Sequence, residues 1–217
     1  MPFGGLDGDE ALDLLLDYRP VQALDHRGLQ PGPGLRLALA AEAGGQMMMQ
    51  GERVYLRTFK DSDAAKLLEW GQNSRYHDLA GFAQYQNLGQ AKQAVRQYQC
   101  RPYSYAICKN GSDRPIGLIE LYQRDLVSME VGFLLDEKAE GQGYMTESLD
   151  LILRFAFADL HLQEVWAGCY DGNLKPQKLL RKFGFTEKYE VDYRKIPPFF
   201  NFSAKYYLLK ATQWHRI

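Results

Sequence analysis

A chain of 217 residues is long enough for one domain with a full core and only marginally long enough for two. Its 26 basic and 27 acidic residues leave a formal net charge of −1, which removes any global drive toward nucleic acid or an anionic membrane. The three cysteines, Cys100, Cys108 and Cys169, lack C-x-x-C spacing and are odd in number, excluding a disulfide framework or structural zinc and pointing to reduced thiols in a cytoplasmic protein.

Residues 1–48 read as an N-terminal extension. Up to residue 46 there is no lysine, Ala, Leu and Gly are frequent, and Pro31-Gly32-Pro33-Gly34 breaks the segment. Asp9 to Asp17 can form a short helix around Leu12, Leu14, Leu15 and Leu16, marginal without something to pack on. The extension is either a mobile leader, with a start near Met47, Met48 and Met49, or a docking arm. No basic segment followed by an apolar one opens the chain, and no uncharged apolar run approaches the roughly 20 residues of a membrane span, so a soluble, unsecreted protein is expected.

From Arg53 the pattern becomes regular. Val54 to Phe59, β-branched and aromatic, predicts a strand. Asp61 or Ser62 then caps a helix through Ala64, Ala65, Leu67, Leu68 and Trp70. A polar stretch rich in Gly, Asn and Tyr follows, and Asn87-Leu88-Gly89-Gln90 resembles a capping box opening a helix to about Gln99. Tyr103 to Lys109 and Ile116 to Gln123, separated by Asn110-Gly111-Ser112-Asp113, predict a hairpin. A strand from Met129 to Leu135 runs into Gly141-Gln142-Gly143 and a helix to about Leu160, with Leu149, Ile152, Leu153, Ala156 and Phe157 on one stripe. A strand from Glu164 to Tyr170, a helix from Asn173 to Gly184 with Pro176 in its first turn, and two strand-like segments complete the order. It implies an α/β domain with a mixed sheet and helices on both faces.

The stretch Glu137-Lys138-Ala139-Glu140-Gly141-Gln142-Gly143-Tyr144-Met145-Thr146-Glu147 carries the chemical signal. Glycines let a ligand approach the backbone, and unpaired N–H groups at a helix start face phosphate oxygens. A plain tight turn explains a lone G-x-G as well. There is no third glycine for a dinucleotide fingerprint and no Gly-Lys-Ser/Thr for a nucleoside triphosphate loop.

One strand later stands Asn173-Leu174-Lys175-Pro176-Gln177-Lys178-Leu179-Leu180-Arg181-Lys182-Phe183-Gly184-Phe185. Strand, short loop of the Q/R-x-x-G-x-G/A type, helix, strand, then an Asn-started helix ending in Gly-Phe resembles the acetyl-CoA-binding core of the GNAT acetyltransferase superfamily. With Gly51 to Arg57, Asp63, Trp70, Ile116 to Ile119, Glu130 to Phe133 and Tyr206 to Trp214, the resemblance spans most of residues 50–214 and is closest to the branch of ribosomal-protein-alanine acetyltransferases. It implies a GNAT domain over residues 49–217, with a mostly antiparallel central sheet. The implied activity is acetyl transfer from acetyl-CoA to a primary amine, a peptide N-terminus ahead of a polyamine or aminoglycoside, without metal, in a monomer or homodimer.

The resemblance further puts the pyrophosphate on the amides of Lys138 to Gly143, with Gly141, Gln142, Gly143 and Tyr144 around it. The pantetheine arm would follow the strand through Phe133, Leu134 and Leu135, helped by Asn173. An amine of pKa about 10 costs roughly 4 kcal/mol to deprotonate at pH 7, so a carboxylate must take its proton. Glu130 is the first candidate for that base and Glu120, on the neighbouring strand, the second; each also reads as an acid on a solvated strand face.

Three departures from the family pattern bear on this. Leu180 stands where a tyrosine acid for the thiolate is often found, with Tyr170 and Tyr193 weak substitutes. Lys138 stands where Gln or Arg is usual. Glu140 sets a negative charge beside the phosphate site and is expected to weaken CoA binding unless its side chain turns outward. Cys169 reads as a small buried residue, and Tyr193 to Tyr207 as a pocket wall, hairpin core or dimer surface. The competing function is a degenerate domain that binds CoA, or nothing, and acts through its surface.

Overall fold

The computed structural model describes residues 48–195 and 201–215. The expected helix at Asp9 to Asp17 and the segment Pro197-Pro198-Phe199-Phe200 lie outside them. The strands are β1 (Met48–Gln50), β2 (Val54–Arg57), β3 (Ser104–Lys109), β4 (Pro115–Gln123), β5 (Ser128–Leu135), β6 (Glu164–Tyr170), β7 (Thr186–Asp192) and β8 (Ser203–Lys210). The helices are α1 (Ala64–Gly71), α2 (Ser74–Ala80), α3 (Leu88–Cys100), α4 (Tyr144–Arg154) and α5 (Leu174–Lys182). None of the described helices is long and apolar enough to cross a membrane.

The strands form one sheet in the order β1-β2-β3-β4-β5-β6-β8-β7, antiparallel throughout except between β5 and β6. That parallel pair is joined by a crossover through α4, as such a pair requires. Side chains alternate between the faces. Ile119, Leu121, Met129, Val131, Val165 and Ala167 pack with Leu149, Ile152 and Leu180 of α4 and α5. On the opposite face Ala106, Cys108, Leu118 and Leu134 pack with Trp70 of α1, Tyr76 of α2 and Tyr98 of α3. The mixed sheet with helices on both faces is thus as the residue patterns predict.

Local differences have identifiable causes. β2 ends at Arg57, two residues early, because Phe59 leaves the sheet to stack on Tyr98 at 4.7 Å. Neither Asp61 nor Ser62 caps α1; they enter a 3-10 turn, Asp61–Asp63, that precedes it. The Asp63 carboxylate accepts from the buried Arg57 guanidinium at 2.8 and 2.9 Å and from the Lys60 amide at 2.8 Å. The polar stretch expected to be irregular contains α2, capped by Asn73, whose side chain accepts from the Arg75 amide, and closed by Gly81 at φ 64°. Only Tyr76 of α2 is buried, so it has no apolar period to detect. Asn87 caps α3 as predicted, but Gln90 returns to the Gln86 amide, not that of Asn87. The helix after Gly143 reaches its expected end through a π-turn at Phe155–Asp159.

Candidate active site

β5 and β6 pair only from Ser128 with Glu164 to Glu130 with Trp166, although β5 continues to Leu135 and β6 to Tyr170. Beyond Glu130 the two strands part, and the backbone edge of Val131 to Leu135 loses its strand partner on that side. Such an edge binds an extended chain carrying its own amides. The Asp136 amide donates to the Ile116 carbonyl of β4, so by alternation the backbone of Gly132 and Leu134 bonds to β4 and that of Val131, Phe133 and Leu135 faces the gap. Leu134 is buried under α1, whereas Phe133 and Leu135 are half-buried on the α4 side.

The glycine loop lies at the end of β5. Here the amide of Glu137 donates to the Tyr76 hydroxyl, that of Lys138 to the Asp136 carboxylate, that of Ala139 to the Asp136 carbonyl and that of Glu140 to the Glu137 carbonyl. Lys138 therefore offers its side chain and not its amide. No described residue accepts from the amides of Gly141, Gln142 or Gly143. Gly141 at φ 72° and Gly143 at φ 82° occupy the left-handed region that glycine favours, and a Cβ on Gly141 would meet nothing within 4 Å. These three amides and the first turn of α4, opened by Tyr144, are left free to donate, which makes the loop a candidate anion cradle. It fits a pyrophosphate, and the open β5 edge beside it fits a pantetheine arm.

Glu147 anchors the cradle to β2, accepting from the amides of Arg53 and Val54 at 2.8 and 3.3 Å and from the Arg53 guanidinium at 3.1 Å. Burial alone would raise its pKa, but these donors together hold it below the usual value. A carboxyl whose folded pKa is lowered stabilises the fold above its unfolded pKa of about 4.3, and that contribution is lost as pH falls through the folded value. Melting temperatures should accordingly fall below pH ~4. Glu147→Gln should melt lower at neutral pH with a flatter acid limb; an unchanged limb would contradict this.

Both candidate bases lie on the face under α1 to α3. Register brings Glu120 opposite Gly132 and Tyr122 opposite Glu130. Glu130, 4% exposed, stands at the point where β5 and β6 part and accepts from Arg124 at 2.8 Å. Arg124 also lies 4.7 Å from the ring centroid of Trp166, the residue paired with Glu130. Glu120 accepts from Arg101 at 2.9 Å and from the hydroxyls of Ser104 and Tyr122. Beside them Gly168, in the middle of β6, is exposed on this face, with Tyr206 its partner in register. A shallow floor therefore runs from Glu130 over Gly168 to an aromatic wall in which Tyr189 stacks on Tyr206 at 4.8 Å and Tyr170 on Phe202 at 4.1 Å.

The remaining candidates divide. Leu180 is fully buried. Tyr193 shares a hydrogen bond with Tyr206 at 2.8 Å within that aromatic wall. Tyr170 ends β6 with its hydroxyl against Gly81, and burial raises its pKa. The Asn173 amide donates to the Leu79 carbonyl at 3.0 Å, tying α5 to α2 across the gap. Cys169 is buried, and burial, then the negative charge of Glu130, push its thiol up to about 12, which rules out a thiolate nucleophile near neutral pH. The Glu140 carboxylate accepts from Arg75 at 2.7 Å and from Lys175. Sequence reading missed Arg75, Arg124, Trp166 and Lys175, because no motif marks a cation supplied from another element. A wider groove of about 570 Å³ at the β1–β2–β3 edge includes Tyr55, Arg57, Lys60 and Asp113, with Asp113 bound by the other three.

A family model described as the acetyltransferase (GNAT) domain matches residues 53–186. The protein called "Probable N-acetyltransferase YjcK" of Bacillus subtilis (strain 168) is 31% identical over 158 residues, covering 65% of this chain and 84% of that protein. A GNAT-family acetyltransferase structure from Bacillus anthracis superimposes with TM-score 0.68 at 18% identity, over 76% of this chain and 99% of that one. A ribosomal-protein-S5-alanine acetyltransferase from Vibrio fischeri does so with TM-score 0.61 at 18% identity, over 78% and 99%. At such identities the two structures speak for the fold.

Proposed function

The chain belongs to the GNAT acetyltransferase family, and on that premise we propose that it transfers an acetyl group from acetyl-CoA to a protein N-terminus by direct attack in a ternary complex. Residues 49–217 form the catalytic domain in this reading and residues 1–48 an extension. The observation that carries it is the gap between β5 and β6, which ends at a carboxylate, Glu130, on one side and at the glycine cradle on the other.

Acetyl-CoA supplies an acetyl thioester. The open β5 edge and the amides of Gly141 to Gly143 hold its two ends and bring the carbonyl to the vertex of the gap, where a β5 backbone N–H polarises it. Glu130 receives the ammonium proton, directly or through a water; the amine nitrogen bonds to the carbonyl carbon and gives up its second proton to solvent, and the C–S bond breaks with its electron pair on sulfur. The thiolate takes a proton from solvent or from Tyr170, at the end of β6. Glu120, held by three donors one strand away from the gap, serves to orient Tyr122 and Arg101.

Two features favour an α-amine. Its pKa of about 7.7–8.0 leaves only about 1 kcal/mol of deprotonation at pH 7, against roughly 4 for an alkyl amine. Glu130 and Glu120 are each paired with an arginine, so the floor offers little net charge to a polycation, while the aromatic wall suits a peptide side chain. Thiol release from acetyl-CoA should be fastest with peptides carrying free N-termini and slower with polyamines and aminoglycosides. Release with the polycations alone would overturn the acceptor; none with any acceptor, despite CoA raising the melting temperature, would indicate a binding module.

A further inference from the structure

Glu140 is the residue least suited to a phosphate cradle, since it places a carboxylate beside Gly141, the first of the three open amides. It is held from two helices. Arg75 of α2 donates to it through Nη2 at 2.7 Å, and Lys175, in the first turn of α5, pairs with its other oxygen. Arg75 Nη1 lies a further 3.7 Å from Glu137. The group therefore lies beside the open amides of Gly141 to Gly143 and joins α2 to α5 there. Two properties distinguish it from a structural ion pair. The Nε of Arg75 is buried and has no acceptor among the described residues, an arrangement that is costly unless another anion completes it. Lys175 is 72% exposed, so its ammonium can change partners with little loss of packing.

We propose that Glu140 stands in for a cofactor phosphate: in the unloaded chain it holds Arg75 and Lys175, and on loading these two cations pass to the phosphates of acetyl-CoA, with Arg75 Nε completing its donor set. The proposal rests on the acetyl-CoA reading above. It resolves the unfavourable charge in the loop, because the acid that repels phosphate also keeps two cations at the site. It has a consequence for turnover. After transfer the carboxylate competes with the product for the same cations, which speeds CoA release, and product release limits turnover in many enzymes.

The test measures CoA binding by calorimetry on the full-length chain, with acetyl-pantetheine, which lacks the phosphates, as the comparison probe. Glu140→Gln should tighten CoA about threefold to fivefold and strengthen product inhibition by CoA to match, as expected for removal of a part-exposed competing charge. Arg75→Gln should weaken CoA about tenfold through loss of charge-assisted hydrogen bonds. The double variant Glu140→Gln, Lys175→Gln decides the matter. If Lys175 contacts phosphate, the double variant binds CoA about threefold more weakly than Glu140→Gln alone. If Lys175 only neutralises Glu140, the double variant and Glu140→Gln bind equally, and the proposal fails. Acetyl-pantetheine should bind all variants alike; a matching change there would mean a distorted gap and would also overturn it. Wild-type protein that does not bind CoA would remove the acetyl-CoA reading itself, a different result from wild-type binding that the variants leave unchanged.

Discussion

Glu130→Gln should lower kcat about 10²- to 10⁴-fold, the range for loss of a positioned general base, while CoA still raises the melting temperature. The reason is position. Glu130 is the last residue of β5 that pairs with β6, and Arg124, 2.8 Å away, fixes the position of its carboxylate. A pH profile separates this from structural damage. Without the carboxylate, transfer must draw on amine already deprotonated in solution, so the deficit should shrink as pH approaches the pKa of the acceptor amine. A loss constant across pH, together with a lower melting temperature, would instead mark Glu130 as structural. Loss in Glu120→Gln with Glu130→Gln active would move the base one strand over.

Arg57→Met should destabilise the domain by about 3–5 kcal/mol, the usual cost of leaving one member of a buried ion pair uncompensated. Arg57 and Asp63 are each only 3% exposed at their side chains and meet through two bonds, while Arg57 also donates to the Thr58 carbonyl and to Asp113. The pair joins β2 to the start of α1. For a chain of this size the loss corresponds to a fall in melting temperature of about 10 °C. Arg57→Met combined with Asp63→Leu should recover part of it, because no buried charge then remains unpaired. A single variant melting within a degree or two of wild type would show that the guanidinium is dispensable to the fold.

The order of elements was legible because β3, β4, β5 and β6 are β-branched or aromatic runs and α4 carries an apolar stripe; period and breakers suffice to define these. The glycine loop was legible for the same local reason. What escaped was supplied across the chain. Arg75 rides on α2, which buries one side chain and so has no stripe; Arg124 sits in a turn; Lys175 meaning emerges only when Glu140 is placed opposite it. Nor could a sequence show that the amides of Lys138 and Glu140 are consumed within the loop, which narrows the cradle to Gly141, Gln142 and Gly143. Backbone donors are assigned by the fold of a loop and not by its side chains. The separation of β5 from β6 after Glu130 is likewise invisible locally, since both strands continue with strand-like residues beyond the point where they part.

The most direct measurement is amide hydrogen exchange with and without CoA. The expected result is new protection at Val131, Phe133 and Leu135 and at Gly141 to Gly143, the open strand edge and the open cradle, with little change elsewhere in the sheet. Protection confined to the groove that includes Tyr55, Arg57, Lys60 and Asp113 would place the ligand at the far edge of the sheet and contradict a cofactor held between β5 and β6.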